Sequence, residues 1–502
     1  VTSAIQFVAP MPERSVRLVI FTDGDTTPLR PIPPRPASVA QVLVLGVGNP
    51  RKGTFIDGHQ SRQDPDVLRS LAGALRGEYL DINEKHLPTP KLGDLVVVTP
   101  PPHRGLTLEE WALLAMAVAE EPVSFEDYIC DDGMGAGPYR IKCTMWREGE
   151  KVILDFAGTD PQSKASINFF LNENMFKMFF GIYMIMVFDP QILFNDGFYD
   201  LIDVRIPEGS LLKPKFPAAL SGRTHALGRI FDILGGLLGQ KTPEFLNAAG
   251  FSSSPHLFYS GYDADEKWFQ LFQIGFGGIP GRPLGDGPDG HSLWPGFTNV
   301  PNEFLERYFP MIIERYETEP DSGGAGLHRG GNGIHMTYRF LSAGTISIHD
   351  DRWFVPPWGV NGGEPGKRAR KILEKADGTQ IIIGNKVEDI DVQVDDQLHF
   401  ITWGGGGWGD ALERDPALVA KEITQGLVTP EGARDYGVVV DASGVVDAAA
   451  TDKLRADMRA SRGELLLFNS GPGIEVLRAN CLAETGLPAP VQPVWQHLEA
   501  AE

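Results

Sequence analysis

The chain has 502 residues, of which 42% are hydrophobic and 22% charged, so it is long enough to bury the cores of two or three domains. Its formal net charge of -21 and pI near 5.0 make the electrostatic term repulsive toward nucleic acid and anionic membranes, so we expect neither as a partner. Three cysteines without a CxxC pair are too few for a disulfide framework, and the opening residues lack the basic segment of a secretion signal. Both features favour the cytoplasm.

Residues 1–100 predict a small α/β unit. An apolar strand from Val16 to Asp25 and a second from Val39 to Pro50 are followed by a helix with Leu68, Leu71 and Leu75 on one face. A third strand, EYLDI, comes directly after this helix. Strand, strand, helix and strand in this order indicate a doubly wound α/β arrangement.

Residues 15 to about 90 resemble the latter half of a von Willebrand factor A domain, through these strands and the TDG sequence that ends the first of them. The resemblance implies that Asp23 stands at the position of that family's later metal-site aspartate. The Asp-x-Ser-x-Ser motif that supplies most of the site is missing from the chain. We therefore expect Asp23 to be only a remnant, because a TDG sequence more often marks a turn at a strand end, and we predict no metal there.

A linker is predicted over residues 101–121. Its apolar run, from Trp111 to Ala119, has nine residues, whereas crossing a bilayer takes about 20. The run is either the beginning of a transmembrane helix cut short by Glu120 and Glu121 or an ordinary amphipathic linker helix. In both cases we expect no membrane span.

From residue 122 onward the pattern changes to alternating strands and apolar helices. Tyr139, Ile141 and Cys143 alternate with polar residues and predict a β-hairpin with one buried face. The apolar, methionine-rich stretch 168–190 is interrupted early by polar residues, so it predicts a buried core helix rather than a membrane span. A second core helix is predicted within 224–250, where five apolar residues recur at helical spacing.

Three glycine-dense segments stand out, at 320–334, 351–366 and 403–410. Glycines free backbone amides to converge on an anion, and an arginine adds a fork for carboxylate or phosphate. Arg223 and His225 are weaker candidates, because such residues are more often satisfied polar groups. The candidate residues that face substrate or phosphate are Asp321, Gly323, Gly324, Arg329, Gly330, Gly331, Asp351, Arg352, Gly405 and Gly406. The alternative is that the glycines let β-turns pack in a core while Arg329 pairs with Asp321.

Four segments in the same order as in the hydantoinase B/oxoprolinase family give the chain its strongest resemblance. They lie at 155–168, 194–214, 314–333 and 415–440, and the resemblance extends over residues 122 to about 480. The family includes the B subunit of N-methylhydantoinases, the C-terminal half of 5-oxoprolinase and the large subunit of acetone and acetophenone carboxylases. It implies a β-rich α+β fold over 122–440, behind the partial α/β unit. Residues 441–502 form a helix and loop tail similar to that of the carboxylase-type members.

The resemblance implies an ATP-dependent hydrolase that opens a cyclic amide, such as a hydantoin or 5-oxoproline, after a partner has phosphorylated it. ATP would be bound by a separate hydantoinase A-like ATPase of actin fold, in a hetero-oligomer, because the chain has no phosphate-binding loop. The family also uses a divalent metal, Mn, Zn or Fe, held by a His-His-x-Asp-x-Gly-Gly type segment. That segment is absent from this chain, so its catalytic residues stay unassigned.

Two explanations for the absent segment remain. The chain is a fusion of a truncated A-domain with a truncated hydantoinase B chain, or it is a diverged subunit that obtains its metal from a partner. The tail makes a ketone carboxylase fragment a second candidate function. A non-enzymatic interaction module that binds through the A-domain-like part is the third, and whether the chain is active alone stays open.

Overall fold

The structure, a computed structural model, describes residues 9, 16–22, 34–46, 54–56, 59–81, 121–187, 196–241, 246–250, 254–291, 298–441 and 444–494. The chain divides into two compact units, Val1–Thr107 and Leu108–Glu502. Asp23 and nearly all of the predicted linker, 101–120, lie outside the described residues.

The first unit contains a three-stranded parallel sheet. Its strands are β1 (Val16–Thr22), β2 (Val39–Gly46) and β5 (Glu78–Asp81), in the order β1-β2-β5, with a short hairpin of β3 (Thr54–Ile56) and β4 (His59–Ser61) between them in sequence. Helix α1 (Pro65–Ala74) packs on β2 and β5.

Helix α1 begins where the sequence supplies a cap. The Asp64 carboxylate accepts hydrogen bonds from two backbone amides of the first turn, and Pro65 follows it directly. Leu68, Leu71 and Leu75 are all buried in the same cluster as β2. The predicted strand, strand, helix, strand order is therefore observed, and the sheet is parallel as a doubly wound unit requires. The resemblance to a von Willebrand factor A domain stays a prediction.

The second unit is larger and mixes helices with sheets, as the α+β prediction requires. Its strands are β6 (Val123–Ile129), β7 (Tyr139–Glu148), β8 (Lys151–Asp155), β9 (Ile202–Arg205), β10 (His256–Tyr262), β11 (Trp268–Ile274), β12 (Met311–Thr318), β13 (Ile334–Phe340), β14 (Gly344–His349), β15 (Gly359–Val360), β16 (Arg370–Glu374), β17 (Gln380–Ile383), β18 (Lys386–Val392), β19 (Gln397–Ile401) and β20 (Phe468–Asn469). Its helices are α2 (Glu173–Val187), α3 (Thr224–Lys241), α4 (Asn302–Tyr308), α5 (Pro416–Thr424), α6 (Ala448–Ser461) and α7 (Ile474–Thr485).

The first layer of this unit is a four-stranded sheet, β6-β7-β8-β9, covered by α2 and α3. Strands β7 and β8 form the predicted hairpin, in which Tyr139, Ile141 and Cys143 all face the core. Strand β9 joins β8 in parallel after the α2 connection. Helix α3 lies on β6 and β7 and is buried along most of its length, which confirms that the stretch 224–250 holds a core helix.

Two further sheets share one apolar core. The four-stranded sheet is ordered β11-β10-β14-β18 and the five-stranded sheet β12-β13-β19-β16-β17. Inward side chains of both, such as Tyr259 and Ile346 from the first and Tyr338 and Phe400 from the second, belong to the same buried cluster. Alternation of buried and exposed residues along β11 fits a sheet with one face on this core.

Helix α2 is apolar but short, with 15 residues. Among the helices that the structure describes, none combines the length and hydropathy needed to cross a bilayer. The segment predicted as a helix and loop tail contains two helices, α6 and α7. All three cysteines, Cys130, Cys143 and Cys481, are buried and unpaired by disulfides.

Candidate functional site

The glycine-dense segments meet in a layer where backbone packs directly on backbone. The Gly324 amide donates to the Gly405 carbonyl at 2.8 Å, and the Gly405 amide donates to the Gly331 carbonyl at 2.9 Å. A Cβ added at Gly323 would lie 1.9 Å from the Gly330 carbonyl oxygen. Since real Cβ atoms do not come this close, glycine is required here for packing.

This layer uses the amides that the sequence suggested for anion binding. Gly323 donates to the Asn332 side chain, and the other five candidate glycines donate to backbone carbonyls of the chain. Those glycines are Gly324, Gly330, Gly331, Gly405 and Gly406. The geometry thus matches the packing alternative, and contact of any of them with substrate stays a prediction.

Arg329 is buried and fixed by acidic partners. Its guanidinium pairs with Asp289 at 2.7 Å and with Glu422 at 3.2 Å. Burial alone would lower the pKa of Arg329, but the hydrogen bond to Asp289 and the charge of that carboxylate raise it. Asp321 instead accepts hydrogen bonds from the Thr429 amide and hydroxyl, at 2.8 and 2.6 Å. The suggested Arg329–Asp321 pair is therefore wrong, because Asp321 is used to hold the loop that contains Thr429.

The second group of candidates lies in a buried charge network that follows β14. Asp351 accepts hydrogen bonds from the Cys130 amide at 3.0 Å, from Lys386 at 2.7 Å and from Arg229. Arg352 donates to Asp127 at 2.6 Å and to Asp232 at 2.7 Å. We call the following nine residues the Asp351 network: Asp127, Asp131, Arg229, Asp232, Asp350, Asp351, Arg352, Lys371 and Lys386.

All side chains of the Asp351 network are nearly or fully buried. Burial would raise the pKa of Asp351, but Lys386 and Arg229 hold it well below the usual range of a carboxyl group. Burial raises the pKa of Asp131, and burial lowers that of Lys371. Buried groups with strongly shifted pKa values often mark functional sites, although ion pairs that only hold a fold also shift them.

Two histidines, His225 and His349, lie within electrostatic reach of this network, and a third, His256, interacts with His349. His225, at the start of α3, is buried, and its pKa is well below the usual value because of burial and the charge of Lys386. Burial lowers the pKa of His256 to about 4, helped by the charges of His349 and the exposed Arg223. The rings of His256 and His349 lie 6.4 Å apart on paired strands. The structure thus brings Arg223, His225 and Asp351 into one region, although Asp351 is more than 100 positions from the other two in sequence.

Sequence reasoning alone misses several members of this site. Nothing local distinguishes His256, His349 and Lys386 from ordinary strand residues. A signal exists for Lys371, which occupies an inward position of β16 on the same face as Leu373. A charge at a buried position of an alternating strand indicates a buried partner, here Asp350 at 2.6 Å.

The metal implied by the family does not fit the residues that the structure describes. Within those ranges, no three or more His, Cys, Asp or Glu side chains are placed to share an ion. The carboxylates of the Asp351 network face arginine and lysine side chains, which compete with a cation for the same oxygens. We therefore derive no chemical step through a metal.

Comparison with known proteins gives a consistent result. Residues 109–411 match the model of a family described as hydantoinase B/oxoprolinase, which confirms the family. The match starts 13 residues before position 122 and ends before the fourth segment, 415–440. An uncharacterized protein of Methanocaldococcus jannaschii is 33% identical over 310 residues, which cover 61% of this chain and 54% of that protein. The putative B subunit of a D-/L-hydantoinase from Pseudomonas sp. (strain NS671) is 27% identical over 339 residues, which cover 66% and 57%.

Two solved structures share the fold. The ATP-dependent caprolactamase of Pseudomonas jessenii aligns with a TM-score of 0.59 at 22% identity, over 80% of this chain and 71% of that one. A nucleotide-free acetone carboxylase aligns with a TM-score of 0.60 at 20% identity, over 70% and 55%. The chain spans little more than half the length of the two relatives from the sequence comparison.

Proposed function

Because the chain belongs to the hydantoinase B/oxoprolinase family, we propose that it acts as the B-type part of an ATP-dependent hydrolase of cyclic amides. The match over residues 109–411 is the observation that carries this proposal. A relative named as the B subunit of a hydantoinase supports both the reaction class and the need for a partner chain. We further propose that the partner is an ATPase and that the assembly is a hetero-oligomer.

In this proposal the partner transfers a phosphoryl group from ATP to the amide oxygen of the substrate. Water then attacks the activated carbon, and the ring C–N bond breaks as the nitrogen takes up a proton, which leaves an acyl phosphate. A second water attacks the carbonyl carbon of this acyl phosphate, and the phosphoryl group leaves as inorganic phosphate. Attack of the second water on the acyl phosphate carbonyl produces a negatively charged oxygen that needs hydrogen-bond donors already in place. Such donors are what the described part of this chain must supply.

We assign the donors to the region around His225, His256 and His349. Their pKa values are lowered by burial, so the three imidazoles are neutral at pH 7. A neutral imidazole donates one N–H to a developing oxyanion without itself carrying charge, and a buried position strengthens that hydrogen bond. The exposed Arg223 guanidinium adds a cation beside His256 for an anionic substrate group.

Reconstitution with an ATPase tests this proposal. The chain is mixed with the ATPase component of a hydantoinase or caprolactamase relative, and ADP release is measured with hydantoin, 5-oxoproline, caprolactam, or acetone plus bicarbonate. We expect ADP release that depends on both chains and on one of the cyclic amides. ADP release with acetone plus bicarbonate but with none of the cyclic amides would favour the ketone carboxylase over the amide hydrolase. Binding of the ATPase without ADP release on any substrate would favour a non-enzymatic role.

Histidine variants test the assignment of the site. We expect His256→Gln to lower the substrate-dependent rate by about tenfold to a hundredfold. This loss is at or somewhat below the one typical of removing a single oxyanion donor. His328→Gln is the matched control, since His328 lies beside Asp286 and Trp408, in another part of the chain. Equal rates for both variants would remove His256 from the site and leave the reaction class untouched.

A further inference from the structure

A cavity of about 520 Å³ lies between the five-stranded sheet and the C-terminal helix of the second unit. One wall comes from β16, β17 and the end of β19, and the opposite wall comes from residues 482–487, at the end of α7. The volume falls in the range of about 300–1,000 Å³ that small-molecule sites occupy. The three histidines are not among its lining residues, whereas Ser322, at the edge of the glycine layer, is.

The lining of this cavity is basic although the chain is strongly acidic. Four basic residues, at 367, 368, 370 and 371, and two acidic ones, Glu319 and Glu484, line it, whereas the whole chain carries a net charge of -21. Arg370 pairs with Glu319 at 2.7 Å and Arg368 with Glu484 at 2.6 Å. Lys371 pairs with the buried Asp350 at 2.6 Å, so the remaining excess of positive charge belongs to Lys367.

Asn385 adds a buried hydrogen-bond donor to the same cavity. Its Oδ1 accepts a hydrogen bond from Lys371 Nζ at 3.0 Å. An ammonium group only donates, so this contact fixes which way the amide points and leaves Nδ2 on the other side. Asn385 is 1% exposed, and within the described residues Nδ2 has no hydrogen-bond partner. A buried donor of this kind is unfavourable unless an acceptor is supplied.

Apolar side chains form much of the remaining lining. A ligand that fills the space and contacts the basic segment and Asn385 must therefore also contact hydrocarbon. The apolar lining includes Trp353, Ile372, Ile382, Ile383, Leu482 and Leu487. A ligand that satisfies both kinds of lining has an anionic head and an apolar body.

We propose that this cavity binds a small organic carboxylate, with its head toward Asn385 and Lys367 and its hydrocarbon body against α7. The carboxylate oxygens accept from Asn385 Nδ2 and neutralise the excess positive charge. The inference goes beyond the proposed amide hydrolysis and does not rest on it, because it needs neither ATP nor a partner chain. In this proposal α7 forms the wall that covers the hydrocarbon part of the ligand.

Three probes with the same eight-carbon body test the head-group requirement. Octanoate, octanol and octylamine are titrated into the full chain by isothermal calorimetry at pH 7.5. We expect octanoate to bind with a dissociation constant of about 1 mM or lower, octanol at least tenfold more weakly, and octylamine not measurably. Equal affinity for the three probes, or no binding of octanoate, would overturn the proposal.

Two variants locate the binding. Lys367→Glu reverses an exposed charge at the cavity, and Lys267→Glu makes the same change at the exposed turn between β10 and β11. Octanoate affinity should fall about threefold to tenfold in the first and stay unchanged in the second. Asn385→Asp keeps an acceptor for Lys371 but replaces the donor by a negative charge, so we expect a loss of at least tenfold.

Thermal melting of each variant without ligand separates weaker binding from unfolding. If Asn385→Asp proves unstable, the two lysine variants decide the question, since both changes are on the surface. Equal octanoate affinity in Lys367→Glu and Lys267→Glu would place the carboxylate elsewhere and refute this site.

Discussion

Asp351 illustrates how much this protein depends on single buried charges. Its carboxylate lies between Lys386 and Arg229 and also accepts the Cys130 amide, with no exposure to solvent. Removing one member of such a group leaves the other charges buried without compensation, which costs more than the pair itself contributes.

We therefore predict that Asp351→Asn lowers the free energy of unfolding by about 3–5 kcal/mol. The asparagine keeps the shape and one acceptor oxygen but leaves Lys386 and Arg229 without a negative partner at this position. Urea denaturation followed by circular dichroism measures the change. Asp457→Asn, on the exposed side of α6, is the control and should stay within about 0.5 kcal/mol of the parent chain. Equal stability of the two variants would show that the Asp351 network does not depend on its central charge.

His256 gives the molecule a dependence on pH. Its pKa is about 4 in the folded chain, below the ordinary 6.5, because of burial first and then the charges of His349 and Arg223. A lowered pKa means that the unfolded state binds the proton more tightly. Stability from this group is therefore fully present above about pH 6.5 and is lost as the pH falls toward 4.

We predict that His256→Gln flattens the fall in stability between pH 6.5 and 4. A shift of this size corresponds to roughly 3 kcal/mol at most. Unfolding free energies of the variant and parent, measured by urea denaturation at several pH values in this interval, give the difference. An unchanged slope in the variant would mean that other groups, such as His349 and His225, carry the acid sensitivity.

Some of this residue-scale picture was predictable. Asp351 and Arg352 were selected from their place in a glycine-dense, aromatic stretch, and both prove to be buried and multiply paired. Their partners were not predictable, because Arg229 and Asp127 lie more than 100 residues away in sequence. Pairing over such distances depends on how β6 and α3 pack, which no local pattern encodes.

In the glycine layer, whole segments must lack side chains at their contacts because backbone packs directly on backbone. Segments around 277–281, 322–333 and 404–407 exchange backbone hydrogen bonds, and each leaves no room for a side chain at its contacts. Because the clashing atoms would be backbone carbonyls rather than flexible side chains, the layer cannot adjust locally.

We predict that Gly323→Ala destabilises the chain by about 3 kcal/mol or more, at or beyond the upper end of the cost of overpacking. The added Cβ would meet the Gly330 carbonyl oxygen at 1.9 Å. Gly463→Ala is the matched control, because nothing lies within 4 Å of its added Cβ. Thermal melting compares the two, and similar melting temperatures would contradict the packing role.

Elements with a strong local pattern were predicted well. Leu227, Ile230, Phe231, Leu234 and Leu238 repeat at helical spacing, and all five are buried in α3. The order of strands was not predictable in the same way. Strand β9 joins β8 in parallel after 46 residues of intervening chain, and β13 pairs with β19 rather than with β14, its nearest neighbour in sequence. Such pairings follow from packing around two separate cores, that of the first sheet for β9 and the one shared by two sheets for β13 and β19.

At the scale of the whole molecule, the chain combines a small parallel unit with a large α+β unit, divided at residues 107 and 108. The predicted boundaries, 1–100, 101–121, 122–440 and 441–502, stay predictions. The family of the larger unit was predictable from four ordered segments, whereas the histidine region was not, because its members come from α3, β10 and β14.

We predict that the purified chain binds no stoichiometric metal. The His-His-x-Asp-x-Gly-Gly segment is absent, and within the described residues the carboxylates of the Asp351 network are paired with cations. Elemental mass spectrometry after extensive dialysis measures the content. Manganese, zinc or iron near one per chain would show that a site exists without the family segment and would contradict the truncation explanation.

The alkylation rates of the three buried cysteines report on local opening of the structure. Burial raises the pKa of Cys130 to about 12 and that of Cys143 well above its usual value, so neither thiol is ionised in the closed state. Alkylation can then proceed only during transient exposure. Cys143 reports on the β7–β8 hairpin, whereas Cys130 and Cys481 lie in one buried cluster that includes Leu477 of α7. A carboxylate seated beneath α7 would consequently slow modification in the cluster of Cys130 and Cys481 and leave that of Cys143 unchanged.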